Sequence, residues 1–427
     1  AVAAGAGLVV TDHPLGLGVP EVVVTDGRLA AIALARWWSG DPAAKLSLVG
    51  VTGTSGKTTT TLLIRHLFNE GGRAGSIGTL GAFDGLGRAI PSTAGSLTTP
   101  GPVDLMATLA GLVAAGVDRV AMETSSHSLD QGRLDDLKFD AGVFTNLSRE
   151  HLDYHRTMDD YRLAKLKLLD RLAPGGLAVV NRDEPAWDSL GGSGAVVTFG
   201  RHPDAHVRAE GVVLGPTSSG FLLTGRFGSG EVQVPLPGDF NVANALAAAG
   251  AALGLGLALD TVIQRLGEAP QVPGRMERLA ETPCVVIRDY AHKPDALERV
   301  LATLRPITPG RLICLFGCGG DRDRGKRPIM GRIAALGSDL TIITSDNPRT
   351  ESPEQILDDI VAGIPPGSAY QRQLDRRQAI EQALSMARAG DTVLLAGKGH
   401  ETYQIVGKEY LPFDEREIVQ QLLGRAR

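Results

Sequence analysis

Short apolar runs alternate with segments of helical spacing along most of the chain. The run 46–50 is mostly apolar, which is typical of a strand buried in a parallel sheet. After it, Leu63 and Leu67 recur at the spacing of one helix face. Because strands and helices of these kinds alternate from about 42 to 273, we predict an α/β fold with a mainly parallel, helix-covered sheet.

A second α/β series follows Pro273-Gly274, a pair that favours a domain boundary. A chain of 427 residues is expected to form two or three domains. We predict a central domain at 42–273 and a C-terminal, Rossmann-like α/β domain at 274–427. Residues 1–41 are too few for a core of their own and look like the end of a domain whose start is absent.

Several individual elements are predicted from the same pattern. Helices are expected at 30–38, at 161–172 and from Asp239 onward, with Asp239 as a plausible cap. Strands are expected at the following positions: 21–25, 119–122, 285–288, 312–316, 340–344 and 392–396.

Composition narrows the class of protein. Apolar content of 43% and charged content of 21% are those of an ordinary soluble globular protein. A net charge of −5 argues against a general nucleic-acid binder. Three cysteines suit a reducing cytoplasm, and Cys314 and Cys318 are expected to be buried small side chains. Because no apolar run reaches the length of a membrane span, no membrane partner is expected.

A glycine-rich turn between the strand at 46–50 and the helix after it has the layout of a phosphate-binding loop. The glycines let backbone N–H groups approach phosphates, and the helix N-terminus adds partial positive charge. Lys57 would reach the outer phosphates and Thr58 would place its hydroxyl on Mg²⁺. The strict pattern has a glycine where this chain has Val51, so a turn with a chance Lys-Thr is the alternative. The loop residues are Gly53, Thr54, Ser55, Gly56, Lys57, Thr58 and Thr59.

Two further polar clusters follow predicted strands of the central domain. Glu123 ends a strand, where it can hold Mg²⁺ beside the phosphates or be a solvated turn residue. His151 and His155 are four apart, as two metal ligands on one helix face would be. No third ligand stands at a familiar spacing, so a loop that shapes the nucleotide site fits better than a zinc site. Asn241 is either a contact to a base or a helix-start residue.

Polar clusters also follow the strands of the second series. Because the carboxyl ends of parallel strands meet at one edge, the clusters at 289–292, 317–327, 346–349 and 397–401 are expected to form one site. The loop 317–327 is dense in Arg and Lys. It is either a solvated basic loop or a site for a carboxylate, which guanidinium groups bind bidentately.

Taken in this order and spacing, these motifs resemble the Mur ligase family, the ATP-dependent ligases that build the peptidoglycan stem peptide. The resemblance runs from about residue 20 to the C-terminus. The motifs that carry it are Gly53 to Thr59, Glu123 to His127, His151 to His155, Gly274 to Glu277, Asp289 to His292, Asp346 to Arg349 and Gly397 to Glu401.

The resemblance implies an amide ligase with ATP and Mg²⁺ as cofactors. ATP would phosphorylate the D-glutamate carboxylate of UDP-N-acetylmuramoyl-L-alanyl-D-glutamate, and an amine of meso-2,6-diaminopimelate would attack the acyl phosphate. Lys57 and Mg²⁺ would stabilise the charge that develops. The expected partners are these small molecules alone, and the expected state is a cytoplasmic monomer. The central domain would then bind ATP, residues 274–427 the amino acid, and residues 1–41 would be a remnant of the UDP-binding domain.

The resemblance also implies roles for individual residues. Lys57, Lys165 and His151 would be catalytic, and Lys165 would be carbamylated, with Lys167 as the alternative if the register differs by two. Thr58, Glu123 and Lys165 would hold metal, and Asn241 would join the loop residues in binding ATP. The UDP-sugar-peptide would contact Thr98, Thr99, Ser125, Gln131 and Arg133. The diamino acid would contact Arg322, Asp346, Asn347, Pro348, Arg349, Gly397 and Glu401.

The chain departs from the family pattern at Leu97, which replaces an Asn, at Glu150, which replaces an Asp, and in its short N-terminal segment. Weakened binding of the nucleotide sugar is therefore expected. The form Asp-Asn-Pro-Arg resembles the diaminopimelate-selective members, since Arg349 can pair with a carboxylate that lysine lacks. Three alternatives stay open: a lysine-adding ligase of the family, a folylpolyglutamate synthase, and an inactive nucleotide-binding protein.

Overall fold

The computed structural model describes residues 1–92, 97–190 and 195–425. Its helices are α1 Gly27–Trp38, α2 Lys57–Phe68, α3 Pro102–Ala114, α4 Ser126–Asp130, α5 Met158–Leu166, α6 Asp239–Gly254, α7 Leu259–Gly267, α8 Pro294–Leu304, α9 Lys326–Gly337, α10 Pro353–Val361, α11 Arg376–Met386 and α12 Glu415–Arg425.

The strands of the first half are β1 Val9–Thr11, β2 Glu21–Val23, β3 Ser47–Thr52, β4 Ala74–Gly78, β5 Gly81–Phe83, β6 Ala89–Ile90, β7 Arg119–Glu123, β8 Phe139–Phe144, β9 Leu172–Asn181, β10 Ala195–Gly200, β11 Val207–Leu214, β12 Ser219–Gly225 and β13 Gly230–Val234. Those that follow are β14 Glu277–Ala280, β15 Val285–Asp289, β16 Leu312–Phe316, β17 Leu340–Ile343, β18 Tyr370–Arg372, β19 Thr392–Ala396, β20 Tyr403–Val406 and β21 Glu409–Pro412.

The chain divides into two compact units. The first contains Ala1–Glu210, Leu222–Gly230 and Ala243–Leu266, and the second contains Gly211–Phe221, Glu231–Val242 and Gly267–Arg427. Residues 1–41 therefore belong to the first unit, in which β1 and β2 form a parallel pair.

The largest sheet has the strand order β13-β12-β11-β10-β9-β8-β3-β7-β4-β5-β6. Strand β3 lies near its centre and pairs in parallel with β7 on one side and with β8 on the other. Its buried residues, such as Leu48 and Val51, leave no polar alternation, as expected of a strand covered on both faces. Antiparallel pairing is found at the β4-β5-β6 edge. The predicted α/β class with a mainly parallel sheet is confirmed.

The second unit is built on the sheet β14-β15-β19-β16-β17-β18. Strands β15, β19, β16, β17 and β18 are parallel, and only the β14–β15 pairing is antiparallel among the pairs within this described sheet. Its core lies on both faces, with Leu312 and Phe316 on one side and Ile313 and Leu315 on the other. The strand predictions at 312–316 and 392–396 match β16 and β19.

Two predictions about the first unit are wrong. The helix expected at 161–172 ends at Leu166, and Leu172 begins β9, where it pairs with Phe139 of β8. The strict alternation of strands and helices also fails, since β9 to β13 follow one another with no α-helix between them in the described residues. At Leu172, pairing with Phe139 of a neighbouring strand outweighs local helical spacing.

Helix α1 begins at Gly27 rather than at 30, because the carboxylate of Asp26 accepts from Leu29 N–H and caps it. All three cysteines are buried and form no disulfide in the structure, which confirms the expected burial of Cys314 and Cys318. Across the described residues, every helix is too short or too polar to cross a membrane.

Candidate active site

The predicted phosphate loop lies at the carboxyl edge of the central strands of the first unit. Val51 of β3 stands opposite Glu123 of β7, and Thr52 stands opposite Phe144 of β8. The segments after these three strands therefore meet at one edge, which is where open α/β sheets bind ligands.

The loop is fixed by close contact with the segment after β8. Gly53 has φ +146°, and a Cβ on it would lie 1.9 Å from Oγ1 of Thr145, so only glycine fits there. Ser55 N–H donates to Oδ1 of Asn146 at 2.9 Å. Helix α2 then begins at Lys57 with backbone N–H groups facing the loop. Gly53 to Thr59 thus form the strand–turn–helix that the motif requires, and the chance-turn alternative loses its support.

Two lysines bind one backbone oxygen of this loop. Nζ of Lys57 donates to the carbonyls of Gly53 at 3.0 Å and Thr54 at 2.8 Å. Nζ of Lys165, which is 1% exposed, donates to the same Gly53 carbonyl at 2.7 Å. Burial, and then the charge of Lys57, hold the pKa of Lys165 well below its usual range. An amine in this position loses its proton more easily than an exposed lysine does.

Lys165 and Lys167 have different surroundings. Lys165 lies in α5 over the ring of Tyr161, with Nζ 4.3 Å from the ring centroid. Lys167 is 42% exposed and pairs with Asp130 at 2.6 Å. Of the two, only Lys165 contacts the phosphate loop in the described contacts.

Glu123 is a buried carboxylate, 2% exposed, at the end of β7. It accepts from Thr79, from N–H at 2.8 Å and from Oγ1 at 3.2 Å. Among the described residues no Lys, Arg or His pairs with it. A buried carboxylate with only neutral partners is costly, and a divalent cation would remove that cost. The burial of Glu123 therefore contradicts the alternative of a solvated turn residue, and its metal role stays a prediction.

The five residues expected to contact the UDP-sugar-peptide form one hydrogen-bonded network. Thr99 Oγ1 donates to the carbonyl of Glu123 at 2.9 Å and accepts from Ser125 N–H at 3.2 Å. Arg133 donates to the Thr99 carbonyl at 3.0 Å and to Oε1 of Gln131 at 2.6 Å. Thr98 accepts from Thr79 at 3.3 Å. No carboxylate among the described residues pairs with Arg133, so its charge is available to an anion.

The segment from His151 to His155 is a turn, not a helix face. His151 has φ +55° and its carbonyl accepts from His155 N–H at 2.9 Å. The ring of His151 lies 4.9 Å from that of His127 and 6.0 Å from that of Tyr161, so the turn packs beside Lys165. Burial lowers the pKa of His127 and His155. In the described part of the chain, three or more His, Cys, Asp or Glu side chains nowhere gather as metal ligands.

Asn241 and Asn244 both lie in α6. Asn241 is 2% exposed and donates to the Pro237 carbonyl at 2.8 Å. Asn244 accepts from Thr60 Oγ1 at 3.4 Å, and a Cβ on Gly56 would lie 2.4 Å from its Oδ1. Asn244 therefore lies against the phosphate loop.

In the second unit, segments after β16, β17 and β19 come together as predicted. Asn347 donates to Oε2 of Glu401 at 2.9 Å. A Cβ on Gly397 would lie 3.4 Å from Oδ2 of Asp346, and one on Gly320 would lie 1.9 Å from the Pro348 carbonyl. Glycine at 320 is thus required for the close approach of the two loops. Burial raises the pKa of Glu401.

Arg349 and Arg322 flank Gly319. A Cβ there would lie 3.0 Å from Nη1 of Arg349 and 3.8 Å from Cγ of Arg322. Arg349 has φ +52° and donates to the Gly320 carbonyl at 2.9 Å. Its backbone is held by β20 and the turn after it, because its N–H donates to Ile405 and its carbonyl accepts from Gly407. Both side chains therefore approach Gly319 in the segment after β16.

The basic loop 317–327 has two kinds of arginine. Arg327 is fully buried and pairs with Glu351 at 3.0 Å and with Asp359 at 2.8 Å. Arg324 pairs with Glu351 from the surface. Arg322 is exposed, and its recorded hydrogen bond is to the carbonyl of Asp321. The interpretation as a solvated loop is therefore wrong for Arg327, and a carboxylate site at the exposed Arg322 stays a prediction.

Three supporting residues were missed by the sequence reasoning. Thr79 is the partner of Glu123, and no motif marks it. Arg376 is fully buried, pairs with Glu415 at 2.8 Å and donates to the Ala396 carbonyl at 3.0 Å. Lys398 lies inside the cluster 397–401 and was given no role. Its position between two glycines in that cluster was the one available signal.

Two family models match the chain. The Mur ligase middle domain matches residues 51–252, and the Mur ligase glutamate ligase domain matches residues 274–399. The first match contains the phosphate loop and Glu123. The second contains the clusters at 289–292, 317–327 and 346–349 and the first three residues of the cluster at 397–401.

Curated relatives match over nearly the whole chain. The UDP-N-acetylmuramoyl-L-alanyl-D-glutamate–2,6-diaminopimelate ligase of Gloeobacter violaceus is 46% identical over 439 aligned positions, covering 100% of this chain and 88% of the relative. The ligase of the same name from Geobacillus kaustophilus is 42% identical, covering 98% and 87%. The chain therefore belongs to the Mur ligase family. Six further relatives at 40–46% identity carry the same name, that of the 2,6-diaminopimelate ligase.

Solved structures agree on the fold. A structure of a UDP-N-acetylmuramoyl-L-alanyl-D-glutamate–2,6-diaminopimelate ligase has a TM-score of 0.71 at 34% identity, covering 100% of this chain and 88% of that one. A folylpolyglutamate synthase from Mycobacterium tuberculosis, complexed with ADP, has a TM-score of 0.70 at 20% identity, covering 87% and 92%. The second likeness concerns the fold alone.

Proposed function

We propose that this chain is an ATP- and Mg²⁺-dependent ligase of peptidoglycan synthesis. It joins meso-2,6-diaminopimelate to the D-glutamate carboxylate of UDP-N-acetylmuramoyl-L-alanyl-D-glutamate through an acyl phosphate. The observation that carries the proposal is the network around Glu123, whose carboxylate is bonded to Thr79 and whose carbonyl is bonded to Thr99. Groups suited to a metal and groups suited to a peptide carboxylate share one network, as carboxylate phosphorylation requires.

The residues present fit a magnesium ion. Mg²⁺ is usually bound by one or two protein oxygens together with substrate phosphates. Glu123 supplies a buried carboxylate without a cationic partner among the described residues, and Thr58 supplies a hydroxyl in the first turn of α2. When bound, the ion would neutralise charge on the phosphate oxygens.

Lys57 and Arg133 would hold the two anions of the first step. Lys57 already lies along the loop carbonyls of Gly53 and Thr54, within reach of a phosphate seated on the loop. Arg133, bonded only to neutral groups among the described residues, would hold a carboxylate of the peptide. Placing both anions against fixed cations offsets their mutual repulsion as the new bond forms.

Lys165 is suited to carbamylation. Its amine must be uncharged to add CO2 and release a proton, and its pKa is held well below the usual range by burial. The resulting carbamate would be an anion beside Gly53, able to support a metal ion. His151, packed against Tyr161 beside that lysine, would help to shape this part of the site.

The second unit would bind the diamino acid. Arg349 and Arg322 stand beside Gly319, where they can pair with a carboxylate, and Glu401 can accept from an ammonium group. Asp346, Asn347, Pro348 and Gly397 would complete this acceptor site. Diaminopimelate has a far-end carboxylate that lysine lacks, so Arg349 would favour it.

Three alternatives remain as outcomes of a test. They are a lysine-adding ligase, a folylpolyglutamate synthase and an inactive nucleotide-binding protein. The setting we propose is the cytoplasm, with a monomer acting on small molecules and without nucleic-acid or membrane partners. The division into a remnant at 1–41, an ATP-binding domain at 42–273 and an amino-acid-binding domain at 274–427 belongs to the same proposal.

The test is phosphate release with ATP, Mg²⁺ and the UDP-sugar-dipeptide, adding meso-diaminopimelate or L-lysine in parallel. Release only with diaminopimelate is expected. Arg349→Met should raise the KM for diaminopimelate about tenfold or more, since one charge-assisted contact is lost. Equal turnover with lysine would identify the lysine-adding alternative. If neither amino acid caused phosphate release, the proposal would be contradicted.

A further inference from the structure

The buried ammonium group of Lys398 links three segments of the second unit. Its side chain is 0% exposed. Nζ lies 2.9 Å from Oδ1 of Asn347, 2.7 Å from the Tyr403 carbonyl and 3.1 Å from Oδ1 of Asp346. A fourth oxygen, Oε2 of Glu401, lies 3.4 Å away. The segments after β17 and β19 and the start of β20 are therefore joined through one nitrogen atom.

The hydrogen bonds to Asn347, Tyr403 and Glu401 use all three N–H protons of the ammonium group, and Asp346 is an ion-pair contact only. A lysine that is fully buried and fully bonded has no donor left for a ligand. Its effect on a bound molecule must pass through the groups it touches. Two of those groups, Asn347 and Glu401, are residues that the proposed function assigns to the amino-acid acceptor.

Lys398 also determines which way the Asn347 amide faces. Oδ1 of Asn347 accepts from Lys398 and from Ile405 N–H at 3.0 Å, so its nitrogen is left to donate to Glu401 at 2.9 Å. Both carboxylates, Asp346 and Glu401, lie within 3.4 Å of the same nitrogen. Without the positive charge they would repel each other in a poorly solvated site.

We infer that Lys398 is a positioning residue of the acceptor site, which fixes Asn347 and Glu401 for the ammonium group of the incoming amino acid. The inference rests on the proposed function. It predicts that loss of Lys398 impairs the acceptor step selectively and leaves the use of ATP unchanged.

The test compares Lys398→Met with Lys408→Met, an exposed lysine in the β20–β21 turn that loses the same charge. Lys398→Met should raise the KM for diaminopimelate about tenfold or more, with the KM for ATP unchanged, because the acceptor contacts lose their orientation. Lys408→Met should leave both constants unchanged. An unchanged diaminopimelate KM in folded Lys398→Met protein, or an equal rise in both constants, would overturn the inference.

Two further measurements separate this inference from the proposed function. Hydrogen exchange at Ile405, whose N–H is bonded to Asn347, needs no substrate and should be faster in Lys398→Met than in Lys408→Met. Exchange at an unchanged rate would contradict the inference, whereas a wild-type protein without acceptor-dependent turnover would contradict the proposed function instead.

If Lys398→Met does not fold, Lys398→Met/Glu401→Gln replaces it and is compared with Glu401→Gln. Equal diaminopimelate KM values for those two proteins would also refute the positioning role.

Discussion

Lys165 in the first unit and Lys398 in the second are both almost fully buried, but their surroundings are opposite. Lys165 donates to one backbone carbonyl, and the charge of Lys57, which lowers its pKa, acts on it more strongly than the charge of Glu150, which raises it. Lys398 lies within 3.4 Å of two carboxylates and bonds two further oxygens. The first site holds charges that a ligand must balance, and the second holds charges that balance one another.

A similar contrast is found at other charged groups of the two units. In the first unit, Glu123 and Arg133 have no oppositely charged partner among the described residues. In the second, Arg376 pairs with Glu415, and Arg288 pairs with Glu277 at 2.7 Å. Unbalanced charge at the phosphate loop attracts phosphates and metal ions. Balanced charge around Lys398 fixes loop geometry in the second unit, whereas Arg349 is the charge proposed to select the amino acid.

The largest expected effect is on stability in the second unit. Arg376→Met removes one member of a pair in which both side chains are 0% exposed, and it leaves Glu415 as a buried, unbalanced charge. Unfolding free energy measured in urea should fall by about 3–5 kcal/mol. Arg332→Met, at an exposed position of α9, is the control and should change it by no more than about 0.5 kcal/mol. If the unfolding free energy of Arg376→Met fell only slightly, the balanced charges of the second unit would not contribute to its stability.

In the first unit we expect the reverse: a large effect on activity and a small one on stability. Glu123→Gln keeps the shape that contacts Thr79 but removes a buried charge without a described cationic partner. Acceptor-dependent phosphate release should fall about 100-fold, with a higher Mg²⁺ requirement. Thermal unfolding without metal should be unchanged or slightly raised. Glu70→Gln, at an exposed position, is the control. A marked loss of metal-free stability would remove the distinction between the two sites.

The smallest expected effect is a pH dependence in the second unit. Burial lowers the pKa of His400 to about 4, and its Nδ1 has no hydrogen-bond partner among the described residues. An unfolded chain binds this proton near pH 6.5, so it holds more protons than the folded protein between about pH 6.5 and 4. Stability therefore falls as pH is lowered through that window.

His400→Phe should make this fall shallower, because the ring that must stay neutral is gone while contact with Tyr290 is kept. The measurement is the urea midpoint at several pH values. His202→Phe, a 42% exposed histidine in the first unit, should leave the pH profile as it is. Parallel profiles for wild type and His400→Phe would show that His400 does not contribute.

The local elements of both sites could be predicted from the sequence. The phosphate loop, the strand ends carrying Glu123 and Asp346, and the cluster 397–401 all lie where apolar runs end and polar residues begin. That pattern is local, because a buried strand and the polar turn after it are adjacent in the chain. The helix prediction at 161–172 was wrong because its end depends on a contact that is not local. Leu172 pairs with Phe139 of a neighbouring strand, which is far away in the sequence.

By itself, the sequence determined the α/β class, the phosphate loop and the set of motifs that places the chain among the Mur ligases. Only the tertiary structure decided which charged groups are balanced. Thr79 is 44 residues from Glu123, and Lys398 is 51 residues from Asn347, so no local spacing could join them. Burial likewise follows only from the tertiary structure. Lys165 and Lys167 cannot be distinguished by their local sequence, but in the folded protein Lys165 is buried and Lys167 stays exposed to water.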